Sequence, residues 1–492
     1  MKHSLKSLMP VTILITAFSI GLGVEVEKAP SKSSDYLTTV KAYAETMIDK
    51  GRDTYGPVKS PLFAAALDRH KYILFSDTSR IEGIRNGDRA LKGANPMHDQ
   101  DLYQVLYCLS VLTGDPHYTA EADKALKWFF ENCQSPETGL MAWGEHIGWD
   151  FTNETLGTAR SANHEFFGQW VLWENSFKMA PEACTKFARG LWDHQIHEHS
   201  GNFSRHAQWD KHLTGTQNEY PRHGGFYIAA WAKAYQQTKD PVFLQAIETL
   251  VDYFNKNSSE KTGAIPCSTN PSRLLIMWPE SNLSLAVDLW DGAEKVTPAL
   301  AEKMRDRALR TDKIYLSLKH DFSPNGKGFV AGANVDTLER LTEGPWTDTA
   351  IWAIAYGKST DSKIALLCYE RYKQVKNQGY QKLIVDSAKR YLDSEPDTTI
   401  TLYPGSMADA IFHMLAVCEL TGDKIYLNRA DYFAQKAVKI FLPDNSPLPK
   451  ASSNHDHYET ITGSDDLMMA LLKLYAVENK PNVKLPYAYN NR

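Results

Sequence analysis

Apolar residues along this chain recur at helical rather than strand spacing. In 121–132, Ala122, Ala125, Leu126, Phe129 and Phe130 share one helix face. Alternating β-branched runs are rare. The pattern also repeats. LYQVLYCLSVLTGDPHYTAEADKALKWFFENC at 102–133, YIAAWAKAYQQTKDPVFLQAIETLVDYFNKN at 227–257 and MADAIFHMLAVCELTGDKIYLNRADYFAQKAVKIF at 407–441 each read helix, short turn, helix. The turns are Thr113-Gly114-Asp115-Pro116, Thr238-Lys239-Asp240-Pro241 and Thr421-Gly422-Asp423-Lys424. Gly114 and Gly422 can take the left-handed conformation that ends a helix. Asp115, Asp240 and Asp423 can cap the next one. Pro116 and Pro241 suit its first turn. A degenerate fourth copy runs over 351–372.

First helices of hairpins are expected to begin near Gln100, Asn163, Gly225, Asn282, Thr347, Ser406 and Ser464. The first six are each followed by a second helix. The seventh lacks one, and a helix over about 35–51 can fill its place. The expected fold is all-α, an (α/α)6 or (α/α)7 toroid of helical hairpins. An open solenoid is the alternative, but its polar capping repeats are not evident. No Pro/Ser-rich linker divides the chain, so 24–492 reads as one catalytic domain.

Residues 1–23 have the character of an export signal: Lys2, His3 and Lys6, an apolar run from Leu8 to Leu22, and small residues at its end. The expected location is periplasmic or secreted, with no membrane attachment once the signal is removed. Lys+Arg number 54 against Asp+Glu 59, a balance that gives no reason to expect nucleic acid or a membrane surface as partner. The six cysteines form no CxxC pair, so a thiolate zinc site is not expected. A disulfide among Cys133, Cys184 and Cys267 stays open. The 12 Trp and 24 Tyr matter more, because aromatic faces in loops suit the apolar faces of sugar rings.

Polar and aromatic residues gather just before the expected first helices, in the loops 95–99, 161–165, 220–225, 278–280, 344–348, 402–405 and 455–458. In a toroid these loops open at one end and converge on one cleft. MAWGEHIGWD at 141–150 and SGNFSRHAQWD at 200–210 join them. Histidine suits general acid–base work near neutral pH, and arginine grips a carboxylate through a bidentate fork. That combination meets the needs of β-elimination at a uronic acid. The carboxylate must be neutralised, the C5 proton taken and the leaving oxygen protonated. Asn163 and Arg205 are the candidate neutralisers. His164, His206 or His223 is the candidate base, and Tyr220 or Tyr458 the acid. Substrate contacts are expected from Asn163, Arg205, Arg222, Trp143, His146, Trp209, Trp346, His457 and Tyr458. The alternative is glycoside hydrolysis by two carboxylates, with Glu145 as general acid and Asp150, Glu165, Asp210 and Asp348 nearby. A third reading is a non-catalytic glycan-binding protein.

No metal ligands and no cofactor are assigned. His194, His197 and His199, and separately His455, Asp456 and His457, lie close in sequence without matching a zinc motif. A divalent ion bridging protein and uronate stays open.

The TGDP-like turns, the aromatic and His-rich loops, and the Asn163-His164 and Arg205-His206 pairs together resemble exported (α/α)-toroid polysaccharide lyases and uronide hydrolases. That resemblance implies a toroid, an acidic polysaccharide or oligosaccharide substrate, and a site where Asn or Arg neutralises the carboxylate while His and Tyr exchange protons. It raises both a lyase acting on a uronic-acid polysaccharide and a glucuronidase-like hydrolase; the Arg-His and Asn-His loops put the lyase first and leave the hydrolase as the alternative.

Overall fold

A computed structural model describes residues 33–158, 162–344, 347–352 and 359–491. The expected signal segment and Trp346 lie outside the described residues. Fourteen α-helices are present among those described. In chain order they are α1 (Ser33–Lys50), α2 (Gln100–Thr113), α3 (His117–Asn132), α4 (Trp173–Met179), α5 (Pro181–Gly190), α6 (Pro221–Thr238), α7 (Pro241–Lys256), α8 (Pro279–Ala293), α9 (Pro298–Ser317), α10 (Asp361–Val375), α11 (Gln378–Leu392), α12 (Pro404–Thr421), α13 (Lys424–Phe441) and α14 (Ser464–Asn479).

The even-numbered helices form an inner ring. Helix α6 packs on α8, α8 on α10, α10 on α12, α12 on α14 and α14 on α2, while short α4 and α5 bridge from α3 to α6. Helix α1 packs outside α14 and supplies its missing partner. This closes an (α/α)7 toroid. Inner and outer helices differ in burial as their positions require. In α7, Phe243, Ala246, Ile247, Leu250, Val251 and Phe254 are buried at helical spacing, one apolar stripe facing inward. Inner α2 is buried on nearly every side along Gln100–Leu109.

The turn wiring recurs three times. Gly114, Lys239 and Gly422 end their helices in the left-handed region at φ 77°, 60° and 72°. Asp115, Asp240 and Asp423 then accept from the backbone N–H two residues on, at 2.9, 3.0 and 2.9 Å. Thr113, Thr238 and Thr421 each donate back to the carbonyl four residues earlier.

Two expected helix starts are corrected. Residues 163–164 are a short strand paired antiparallel with Ala207–Gln208, and α4 begins only at Trp173. The first helix expected near Thr347 is α10, beginning at Asp361 behind the Thr360 cap. All six cysteines are free thiols.

Three inner helices, α6, α8 and α12, start with proline directly after an aromatic residue: Tyr220-Pro221, Trp278-Pro279 and Tyr403-Pro404. Proline disfavours helical geometry in the residue before it, and all three aromatics are extended. The inner helices therefore start at one end of the ring. Their opening residues, among them Gln100, Arg222, Glu280, Lys363, Asp409 and Asp466, line one cavity of about 350 Å³. Among the described residues no helix is long and apolar enough to cross a membrane.

Candidate active site

Three segments build the reactive cluster beside this cavity. The first is the turn at 144–147. Asn95, just ahead of α2, donates its amide to the carbonyls of Gly144 (2.7 Å) and Ile147 (3.2 Å), and the Gly144 N–H donates back to its side-chain oxygen (3.3 Å). Gly144 has φ +118°, and a Cβ there would lie 2.1 Å from the Glu165 carbonyl oxygen. The turn is thus pressed against the second segment, and the Glu145 N–H donates to that same carbonyl at 3.3 Å. The second and third segments are the short strand pair, in which Asn163 faces Gln208 and His164 faces Ala207. The next step of that register sets Glu165 opposite His206. Strand alternation then turns successive side chains to opposite sides, His164 into the core and Glu165 into the cluster.

The hydrogen bonds divide each side chain into an outer and an inner atom. His146 Nδ1 pairs with Asp88 at 2.9 Å, leaving Nε2 inward. Glu145 Oε1 accepts from Arg85, and Oε2 turns inward with only a long bond of 3.4 Å from Arg205. Glu165 Oε1 accepts from Arg205 and pairs with His223 Nε2 (2.9 Å), leaving Oε2. That inner oxygen lies 2.8 Å from His206 Nε2 and 3.4 Å from His146 Nε2. His146 Nε2 is 3.3 Å from both His206 Nε2 and Glu145 Oε2. One ligand atom from each of Glu145, His146, Glu165 and His206 thus lies within 4.8 Å of the other three.

The electrostatics follow from this crowding. Burial, with the neighbouring Glu165 charge, raises Glu145 to about 8. Burial also works against the charged form of Glu165, but the imidazoles of His146, His206 and His223 outweigh it and hold that carboxyl well below its ordinary range. Burial would lower His146, yet its bonds to Asp88 and Glu165 raise it to about 9. His223 is lowered to about 3 by complete burial, against the pull of Glu165.

This donor set fits a divalent cation. A cation there would displace the protons of Glu145 and His146, after which Asp88, Glu145 and Glu165 face only two guanidiniums, Arg85 and Arg205. Two imidazoles with carboxylates suit first-row divalent metals. The Asp88–His146 and His223–Glu165 contacts are the outer supports that orient metal ligands.

The structure sorts the sequence-derived candidates. Glu145, His146, Arg205, His206 and His223 meet at the cluster. Tyr220 borders it, with its ring 5.0 Å from the Arg205 guanidinium and its hydroxyl oxygen accepting from Arg273. Arg222 lines the cavity, its guanidinium over the Phe167 ring at 5.4 Å. Asn163 accepts from Gln208 at 2.6 Å, and Trp209 packs partly buried against the core.

Four assignments are corrected. His164 is fully buried beside Phe187 and burial lowers it to about 3, so it does not face the cleft. Trp143 is fully buried among Phe129, Phe166 and Trp170, where no sugar reaches it. Tyr458 is fully buried and donates to Asp465 at 2.5 Å. His457 is buried, stacked on Phe75 at 3.8 Å and bonded to Glu459, so its ring is taken up by a closed pair. Glu165 was weighed in the sequence only as one carboxylate among five, and Asp88 and Arg85 not at all. No local signal separates Glu165 from its neighbour His164; only the pairing with Ala207–Gln208 does. Nothing local in the sequence marks Asp88.

Residues 61–222, roughly a third of the chain, match the model of a family described as periplasmic pectate lyase. That span holds Asp88, Glu145, His146, Glu165, Arg205 and His206 and ends one residue before His223. Solved structures also align. Cellobiose 2-epimerase from Bacillus thermoamylovorans is 10% identical, with 90% of this chain and 99% of that one covered and a TM-score of 0.48. An unsaturated glucuronyl hydrolase specific for heparin is 13% identical over 92% and 100%, also at 0.48. An α-mannanase from Bacteroides thetaiotaomicron is 10% identical over 91% and 97%, at 0.47. These distant structural likenesses add nothing to the helix packing. The family match and the closed ring together support a carbohydrate-active enzyme of the toroid polysaccharide-processing kind.

Proposed function

We propose that this protein is an exported lyase that cleaves a uronic-acid polysaccharide of the pectate type by β-elimination, with a divalent cation held by His146, Glu165 and His206 and with Glu145 beside them. The observation that carries the reading is the convergence of four inner ligand atoms, with the outer atoms of Glu145, His146 and Glu165 already tied down. The cation would supply positive charge against the uronate carboxylate, which acidifies the C5 proton. His146 and His206 act as ligands and His223 braces Glu165, so none of these imidazoles is left as a free base. Of the groups left beside the cluster, Arg205 would hold the uronate, and the Tyr220 oxygen would take the C5 proton and pass it to the leaving glycosidic oxygen as C4–O breaks and the C4=C5 bond forms. Arg222 offers a second carboxylate grip across the cavity. Export is supported by the basic, apolar start of the chain and by the matched family's periplasmic description.

The hydrolase alternative requires two carboxyls about 5–5.5 or 6.5–9.5 Å apart across the scissile bond. The inner oxygens of Glu145 and Glu165 lie closer together than that, within 4.8 Å, and both face imidazole. The geometry therefore favours the lyase.

The test is digestion of a polyuronate panel, pectate first, with and without a chelator. The expected result is an unsaturated product absorbing near the ultraviolet edge, lost with the chelator and restored by adding back a divalent metal. Saturated products carrying solvent oxygen would overturn the lyase reading. Full activity after exhaustive chelation would overturn the cation.

A further inference from the structure

The ring has a lumen, and the chain itself runs across it. After α14 the backbone turns back, and residues 485–491 run along the faces of α2, α12 and α14 that line the cavity. Tyr487 stacks on Phe412 of α12 at 5.2 Å, with the Lys473 ammonium of α14 5.3 Å from its ring. The Ala488 N–H donates to Gln104 of α2 at 2.8 Å. Tyr489, only 4% exposed, donates its hydroxyl to Asp409 of α12 at 3.1 Å. Asn490 donates its amide to Asp101 of α2 at 3.1 Å. Asn490 and Asn491 then line the same cavity that Glu145 borders.

These contacts climb the lumen in register. Lys473, Phe412 and Gln104 lie deeper along their helices than Asp466, Asp409 and Asp101, so residues 485–491 rise towards the cluster and lie beneath it. A floor of this kind turns an open lumen into a blind pocket. The cavity of about 350 Å³ is at the small end of the range for ligand pockets. It has room for a short stretch of sugar chain but none for a chain running on through the ring. The floor is polar, with amides from Asn490 and Asn491 beside the carboxyls of Asp409 and Asp466, which suits sugar hydroxyls.

We propose that residues 485–491 form a specificity-determining strap, and that Asn490 and Asn491 set how many sugar units extend past the reactive cluster into the ring. The proposal rests on the lyase reading for its substrate. Asn490 and Asn491 act by bounding the pocket and take no part in the chemistry.

The test uses the full chain with two opposite changes: Asn490→Gly with Asn491→Gly, which lowers the floor, and Asn490→Trp, which raises it. Uronide oligomers from dimer to hexamer are digested, and products are sized by mass spectrometry beside a thermal midpoint. In the lowered variant the main product of the hexamer is expected to lengthen by at least one unit. In the raised variant kcat/KM for the tetramer is expected to fall at least tenfold relative to that for the dimer. Unchanged product lengths and an unchanged tetramer-to-dimer ratio in both variants, with the midpoint kept, would overturn the strap. If the raised variant does not fold, the lowered variant and Tyr489→Phe with Asn491→Gly decide by the same product sizes. If the wild-type chain cleaves no oligomer, the lyase reading fails. Equilibrium binding of the same oligomers then tests the strap, which is overturned unless the raised variant loses affinity more for the tetramer than for the dimer.

Discussion

Two regions of this molecule use the same three residue types to different ends. At one, Arg89 grips Glu459 with both arms of its guanidinium, at 2.8 and 2.7 Å, and His457 adds 2.8 Å to one oxygen. One carboxylate meets one cation, both oxygens are consumed, and all three side chains are buried. At the other, Arg205, Glu165 and His206 stand beside Glu145 and His146. There each carboxylate has one oxygen anchored and the other turned inward towards atoms that also compete for protons. The first arrangement is closed, and its charges cancel locally. The second is held open by its own supports, since Arg85, Asp88, Arg205 and His223 fix the outer atoms. Composition does not separate a brace from a site. The separation lies in whether the hydrogen bonds use up every acceptor or leave several aimed at one point.

The sharpest way to break this comparison is to remove one inner atom. Glu165→Gln is expected to abolish turnover and cation uptake, well beyond the ~10–100-fold loss typical of outer-shell changes. Calorimetric titration with a divalent metal, run beside the lyase assay, checks both. Persistence of metal uptake would mean that the open cluster is only a second brace. The counterpart change is Glu459→Gln. It strands the Arg89 guanidinium in the interior, and breaking a buried pair costs about 3–5 kcal/mol. A large drop in thermal midpoint is expected, with kcat retained below that midpoint. A kcat loss as deep as that of Glu165→Gln would erase the distinction.

Asp409 supplies a third environment, a buried carboxyl near neither imidazole cluster. Burial, with the charge of Asp466, raises it to about 7. Its folded value thus lies above that of an unfolded aspartate, near 4, so the folded protein keeps a proton that the unfolded chain releases. The associated stability is present below about pH 4 and is lost as pH rises through about 7. Asp409→Asn is expected to flatten that decline by about 2 kcal/mol, seen as a smaller change in unfolding midpoint between pH 5 and 8. An equally steep decline in the variant would show that Asp409 does not carry it.

The comparison also explains what was legible in the sequence. The ring was legible because helical hairpins announce themselves locally. The apolar spacing of α7 and the Thr/Asp turns depend only on residues a few positions apart. Convergence of the loops followed from topology, so Glu145, His146, Arg205, His206 and His223 were found. The choice among neighbours was not legible. His164 and Glu165 are adjacent, and only the antiparallel pairing with Ala207–Gln208 decides which one faces the cluster. His457 and His206 look alike in sequence, and partners hundreds of residues away decide that one is consumed by a closed pair. Trp143 stands between the apolar run Leu140–Ala142 and the polar pair Glu145-His146, and only the fold shows that its ring completes an aromatic core assembled from α3 and α5. Supports such as Asp88 carry no local mark, because their role exists only after the chain has closed.

The smallest expected effect sets the scale for the others, and it lies in the hairpin turns. Gly422 has φ +72°, and a Cβ added there would meet nothing within 4 Å. The cost of Gly422→Ala is therefore torsional alone, about 1 kcal/mol after the unfolded-chain gain from losing glycine. The equivalent position in the α6–α7 turn already has a side chain. Lys239 adopts φ +60°, and its ammonium lies 5.2 Å from the Tyr235 ring. Lys239→Gly relieves about 1–2 kcal/mol of left-handed strain. It gives back about 0.4–1 kcal/mol in unfolded-state entropy and about 0.5 kcal/mol of cation–π attraction. The net expectation is a change centred on about 0.3 kcal/mol of stabilisation and not above about 1 kcal/mol. Denaturant midpoints of the two variants check the pair. A Lys239→Gly variant destabilised as much as Gly422→Ala would show that the three turns, though wired alike, do not share one torsional constraint.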